Sequence, residues 1–113
     1  MATFDMSSYE NEPLVFKNLY GEDYTIPADM PLEFILKIGN LQKKVEKIKD
    51  EKKQAEVMFE LVTIILNLDE SQQITVDEVR KFDFKYMVVI INETMKQINS
   101  IDQNPNLNLP SSN

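Results

Sequence analysis

Residues 14–27 read LVFKNLYGEDYTIP and decide how the chain begins to fold. In the first half, Leu14, Phe16 and Leu19 alternate imperfectly with Val15, Lys17 and Asn18. Tyr24 to Ile26 are aromatic or β-branched, as is typical of a short strand. Gly21 and its polar neighbours supply a turn, and Pro27 ends the second strand. The stretch therefore predicts a β-hairpin. Because two strands alone are only marginally stable, this hairpin must lie on helices or pair with another chain.

A long helix is predicted directly after the hairpin. Apolar residues recur every three or four positions from Phe34 to Ile48, which places them on one side of a helix of about five turns. Asp29 is predicted to be its N-cap, with Pro31 in the first turn. Gly39 in its interior predicts a kink or a close contact.

Three further helices are predicted downstream. The second, over about 53–67, is apolar on two sides and is expected to be central. Thr75 and Glu78 form a capping-box pattern that opens a short helix over 76–82, and a last helix is predicted over 84–101, capped by Asp83. The stripe of this last helix begins at Phe84. The centres of the second and last stripes are expected to be mostly buried: Val62, Ile65, Val88 and Ile91.

The predicted fold class is therefore mainly α: a compact helical domain of three to four helices with a short N-terminal β-hairpin. The 113 residues suffice for one domain with one core. We expect a flexible arm over 1–12, a single helical domain over 13–101 with the hairpin at 14–27, and a disordered Asn/Pro/Ser-rich tail over 102–113.

The composition excludes several classes of protein and of functional site. The chain has no cysteine and no histidine, which excludes disulfide scaffolds, zinc fingers and Ser-His triads. It has only two isolated glycines, so it carries no Gly-rich phosphate loop. The net charge of −7 argues against nucleic-acid binding, and the apolar runs are shorter than the roughly 20 residues of a membrane span. No signal peptide is recognised at the N-terminus. These features predict a binding protein and not an enzyme, without a cofactor or metal.

The charge is unevenly distributed. Residues 1–36 have a net charge of −6, residues 37–53 of +4 and residues 54–113 of −5. The lysines of 37–53 lie opposite the apolar stripe, so they are predicted to form a solvated helix face.

One alternative is a calcium-binding module. Residues 67–78 place oxygen-bearing side chains at several positions of an EF-hand loop between two helices. However, the first position is Asn67 where a carboxylate is usual, and the sixth is Gln72 where the sharp turn demands glycine. A polar interhelical loop, with Glu78 in the capping box, fits better.

Partner contact is predicted at large apolar side chains near the start of the chain. Methionine is adaptable and suits surfaces that hold varied apolar segments. The predicted partner-binding residues are Phe4, Met6, Tyr9, Met30 and Phe34.

The order of elements resembles a known family. The hairpin ending Tyr24-Thr25-Ile26-Pro27 is followed by Asp29-Met30-Pro31-Leu32, an acidic helical body and the Asn/Pro/Ser tail. Over about residues 14–101 the chain resembles the small tail assembly chaperones of long-tailed bacteriophages (siphoviruses).

The resemblance implies a non-enzymatic chaperone that binds the tape-measure protein and keeps it soluble during assembly of the tail tube. It places the protein in the cytoplasm of the infected bacterial host cell and not in the mature virion. Expected partners are the tape-measure protein, the tail-tube protein where a frameshifted extension follows residues 102–113, and a second copy of the chain; nucleic acid and membranes are not expected. The alternative is a small acidic regulatory adaptor or inhibitor that binds a host or phage protein.

Overall fold

In the part of the chain that the structure describes, a β-hairpin is followed by four helices, which confirms the predicted fold class. The computed structural model describes residues 2–3, 5–6 and 12–102. The elements are β1 (Leu14–Leu19), β2 (Glu22–Ile26), α1 (Leu32–Lys47), α2 (Glu51–Leu66), α3 (Val76–Val79) and α4 (Phe84–Asp102). The predicted arm over 1–12 is described only in part, and the predicted tail lies outside the described residues beyond Asp102.

The hairpin contains a bulge that the alternating pattern did not reveal. The strands are antiparallel and pair Phe16 with Tyr24, but Lys17 and Asn18 together oppose the single residue Asp23. Asn18 adopts a left-handed conformation (φ 59°), and its backbone N–H donates to Asp23 Oδ1 at 3.0 Å. Because of the extra residue, Leu19 is turned into the core although it stands an odd number of positions after Phe16.

The start of α1 differs from the prediction, because Pro31 and not Asp29 occupies the N-cap position. The Pro31 carbonyl accepts from Phe34 N (3.0 Å) and Ile35 N (3.2 Å). A residue before proline is sterically disfavoured in the helical region, so Met30 cannot open the helix. The helix therefore begins after the proline, too far along the chain for Asp29 to cap it.

Gly39 does not have the role that its position suggested. It lies inside the continuous helix α1, and among the described residues a Cβ atom built there would meet no atom within 4 Å apart from the adjacent backbone of α1 itself. The structure therefore contradicts the predicted close contact.

Helix α2 is the central element, as predicted. It begins after Asp50, whose carboxylate accepts from Lys52 N (2.9 Å) and Lys53 N (3.4 Å), and it packs against α1, α3, α4 and β2. Its apolar residues supply much of a single core. Besides α2, the core draws on the hairpin, α1, α3 and α4. Its fully buried members are Ile26, Ile38, Leu61, Val62, Ile65, Leu66, Val79 and Ile90.

The four predicted core centres all lie in the core or against it, as expected. Val62 and Ile65 are fully buried and Ile91 is buried, while Val88 is partly buried and packs against the core. Phe84, predicted to open the apolar stripe of α4, is 66% exposed because it stands at the first residue of the helix. The buried line of α4 consists instead of Met87, Ile90, Ile91, Thr94 and Ile98.

The segment between α2 and α4 is held by side-chain hydrogen bonds. Thr75 and Glu78 form the predicted capping box, which opens α3; this helix ends at Val79, three residues earlier than predicted. Arg80 ties α3 to α2 by an ion pair with Glu56, and its guanidinium lies 5.3 Å from the centre of the Phe59 ring. The Asp83 carbonyl then accepts the first backbone hydrogen bonds of α4.

The exposure of the lysines and the hydropathy of the helices follow the expectations from the sequence. The lysines of 37–53 are exposed, which confirms a solvated face, although this face extends over both α1 and α2. Within the described residues, no helix combines the length and the apolar character that crossing a membrane requires.

Candidate protein-binding surface

The predicted partner-binding residues have different surroundings. Met6 is 70% exposed, whereas Met30 packs against the core and Phe34 is half-buried on α1. Phe4 and Tyr9 lie outside the described residues. Met30 therefore also contributes to folding, and Met6, Met30 and Phe34 all remain predictions for partner contact.

A larger exposed apolar surface lies where β1 meets α4. It consists of Val15 (43% exposed) on β1, Tyr20 in the turn, and Tyr86 and Val89 (51% exposed) on α4. We call these four residues the hairpin–α4 surface. The sequence pattern did not indicate it, because Val15 appeared to belong to an ordinary strand and Tyr86 and Val89 lay beside the stripe of α4. Only the packing of the hairpin on α4 brings the four together.

A groove runs through this surface. Its volume is about 230 Å³, and it lies between the β1 residues 15–19 and the α4 residues Tyr86, Val89 and Ile90. Lys17 is its basic lining residue, and the Lys85 ammonium lies 5.1 Å from the centre of the Tyr86 ring. An apolar floor with polar edges is a form that suits a protein partner.

Tyr20 holds the surface together. Its backbone is left-handed (φ 53°) and, with Gly21 (φ 83°), forms the two-residue turn of the hairpin. A non-glycine residue in this conformation is strained. Tertiary contacts of the ring offset the strain, because its centroid lies 5.1 Å from that of Phe82 and 5.4 Å from that of Tyr86.

A second cavity, lined in part by Tyr20, lies between the hairpin and α3, and we call it the hairpin–α3 cavity. Its volume is about 340 Å³. Its apolar lining consists of Leu19, Tyr20, Tyr24, Ile74 and Phe82, and its charged lining of Glu22, Glu78 and Lys81. Leu19 lines both this cavity and the groove of the hairpin–α4 surface, so the two are neighbours.

The acidic residues of this cavity act on Tyr24. Burial, and then the negative charges of Glu22 and Glu78, raise the pKa of the Tyr24 hydroxyl above its ordinary value. The phenol is therefore neutral at physiological pH. It offers the cavity an aromatic ring and an uncharged hydroxyl.

The residues of the calcium-loop alternative are engaged in other bonds. The Asn67 side chain donates to Ile74 O and accepts from Ile74 N, both at 2.8 Å. Gln72 accepts from Thr25 N and donates to Leu66 O, so it ties β2 to the end of α2. Glu78 belongs to the capping box. In the described part of the chain, no three acidic side chains lie close enough together to hold a metal ion.

Helix α1 carries a separate exposed apolar pair, Leu32 and Leu36. These residues are four positions apart and so lie on the same side of the helix. They extend the apolar character of the surface beyond the hairpin–α4 surface.

Comparison of the chain with protein-family models, with curated proteins and with solved structures finds no match.

Proposed function

We propose that this protein is a non-enzymatic tail assembly chaperone that binds the tape-measure protein of a long-tailed bacteriophage and keeps it soluble while the tail tube forms. The observation that carries the proposal is the hairpin–α4 surface, which leaves Val15, Tyr20, Tyr86 and Val89 exposed in an acidic chain. The order of a hairpin and helices is the one that the sequence resemblance implies.

The surface suits a helical apolar partner. An amphipathic helix binds by placing its apolar face into a groove, and the groove between β1 and α4 offers Val15, Tyr86 and Val89 along its length. The net charge of −7 keeps the protein soluble while this surface is exposed. Apolar contact provides the binding, and charge provides the solubility.

Co-expression with the tape-measure protein tests the proposal. The chaperone should keep that protein in the soluble fraction, and a pull-down should retain the complex at high salt, because apolar burial is not screened by ions. A regulatory adaptor that binds through its acidic surface would instead lose its partner as ionic strength rises. Retention of no tape-measure segment at low salt would contradict the proposal.

Surface variants locate the contact. The triple variant Val15→Thr, Tyr86→Gln and Val89→Gln removes apolar area, while threonine keeps a β-branched side chain in the strand. It should leave the tape-measure protein insoluble. A control with Lys43→Gln and Lys47→Gln, on the exposed face of α1, should retain full activity. Thermal unfolding of each variant separates lost binding from lost folding.

A further inference from the structure

The hairpin–α3 cavity combines aromatic and acidic side chains in its lining. The rings of Tyr20, Tyr24 and Phe82 line it, together with the exposed side chains of Glu22 and Glu78. Aromatic faces attract cations, and carboxylates pair with them. A ligand with an aliphatic stem and a cationic end would match both the aromatic rings and the carboxylates.

The acidic residues of this lining outnumber its basic residue. Lys81 is the basic residue of the lining, so two carboxylates and one ammonium give the lining a net charge of −1. Among the described residues, neither Glu22 nor Glu78 forms an ion pair. Burial raises the pKa of Tyr24 most, and both of these negative charges raise it further.

Glu78 is held in place for such a role. Its Oε1 accepts from Thr75 N at 3.4 Å and from the Thr75 hydroxyl at 3.1 Å. These bonds fix the carboxylate while the capping box opens α3. The second carboxylate oxygen is then available to a donor from outside.

We propose that the hairpin–α3 cavity binds an arginine side chain of the partner segment that packs on the hairpin–α4 surface. The planar guanidinium stacks on aromatic rings and pairs with carboxylates, so it fits this lining better than an ammonium does. The proposal rests on the proposed function for the identity of the partner. Leu19 lines both the cavity and the groove, so one segment can reach both.

Small probes test the cavity without the partner. N-acetyl-arginine amide, titrated into the protein and followed by NMR, should shift the ring signals of Tyr20, Tyr24 and Phe82. The neutral isostere N-acetyl-citrulline amide should bind about fivefold more weakly. Equal dissociation constants for the two compounds would overturn the proposal. So would chemical-shift changes spread over other parts of the protein.

A charge-neutral variant gives the matched comparison. Glu22→Gln with Glu78→Gln should abolish the preference for the arginine compound, while glutamine at position 78 preserves the capping box. Glu60→Gln with Glu70→Gln changes the net charge equally at exposed positions outside the cavity and should keep the preference.

The same variants, tested with the tape-measure protein, separate this proposal from the proposed function. The Glu22→Gln and Glu78→Gln variant should still hold the partner, about fivefold more weakly, and high salt should reduce the affinity of the unchanged protein to the same level. If the unchanged protein binds no tape-measure segment but prefers the arginine probe, the function is wrong and the cavity stands. Full affinity of the variant would instead overturn the arginine site alone.

Discussion

The hydroxyl of Tyr20 accepts a hydrogen bond of 2.9 Å from the backbone N–H of Asp83, and so joins the hairpin turn to the start of α4. Replacing Tyr20 by phenylalanine removes this bond and keeps the ring contacts with Phe82 and Tyr86. We expect a loss of about 0.5–1.5 kcal/mol in the free energy of unfolding. Urea unfolding measures it, and a Tyr20→Phe variant as stable as the original would mean that water replaces the hydroxyl without cost.

The core should respond strongly to truncation at its centre. Ile65 is fully buried and Ile91 is buried, so Ile65→Ala or Ile91→Ala should each cost about 2–4 kcal/mol through lost transfer energy and a residual cavity. Val89→Ala, on the exposed side of α4, is the control and should change stability by less than about 0.5 kcal/mol. Denaturant unfolding measures these changes, and the slope of the unfolding free energy against denaturant concentration should stay the same. A loss below about 1 kcal/mol at either isoleucine would contradict this account of the core.

Replacement of Gln72 should destabilise the protein more than replacement of an interhelical glutamine usually does. Gln72→Leu keeps the size of the side chain but leaves Thr25 N and Leu66 O without their partner. We expect a cost of about 1–3 kcal/mol, because both groups are backbone groups that the fold partly buries. Gln73→Leu, at the exposed neighbouring position, should have little effect. Similar thermal unfolding of the two variants would show that the bridge contributes nothing.

Gly39 should be replaceable with a gain in stability. Gly39→Ala adds a methyl group that contacts none of the elements packed around α1, and it lies in a continuous helix, so it should stabilise the protein by about 0.5–1 kcal/mol. Gly21→Ala is the opposite case, because φ is +83° there and a side chain is strained. It should be destabilising. An unchanged or lower melting temperature for Gly39→Ala would contradict this expectation. It would mean that α1 requires glycine at position 39 for a reason other than packing within the chain.

Asp69 should make folding sensitive to acid. The backbone N–H of Ser71, and then its hydroxyl, donate to the Asp69 carboxylate at 3.0 and 2.8 Å and lower its pKa. Because the pKa is lower in the folded state, this stabilisation is present above the ordinary pKa near 4 and is lost as pH falls through the folded value.

Asp69→Asn tests this dependence, since asparagine also accepts from Ser71 but does not titrate. The free energy of unfolding of the original protein should fall more steeply below about pH 5 than that of the variant. Ser71→Ala, which retains the backbone bond, should be intermediate. Parallel pH profiles for all three proteins would show that the Ser71 bonds do not couple to folding.

Local chemistry made much of the fold predictable. The β-branched and aromatic run around Tyr24, the turn at Gly21 and the capping box of Thr75 and Glu78 depend on neighbours in sequence, and all three are present. The N-cap prediction at Asp29 was wrong because the restriction that Pro31 places on the preceding residue outweighs a good capping side chain.

The candidate surface could not be predicted in the same way. Val15 and Val89 belong to elements that are far apart in sequence, and their common exposure depends on how the hairpin lies on α4. Tyr20 has three roles, in the turn, in a ring cluster and in a bond to Asp83, and only its place in the turn has a local signal.

The hairpin also carries its own protection against polymerisation. At Thr25 the outer edge of β2 is occupied by Gln72, and β1 starts directly after Pro13, which has no N–H, and is interrupted at Lys17 and Asn18. An incoming strand would find few consecutive backbone groups with which to pair. The protein can therefore reach a high concentration without its hairpin becoming a template for further strands.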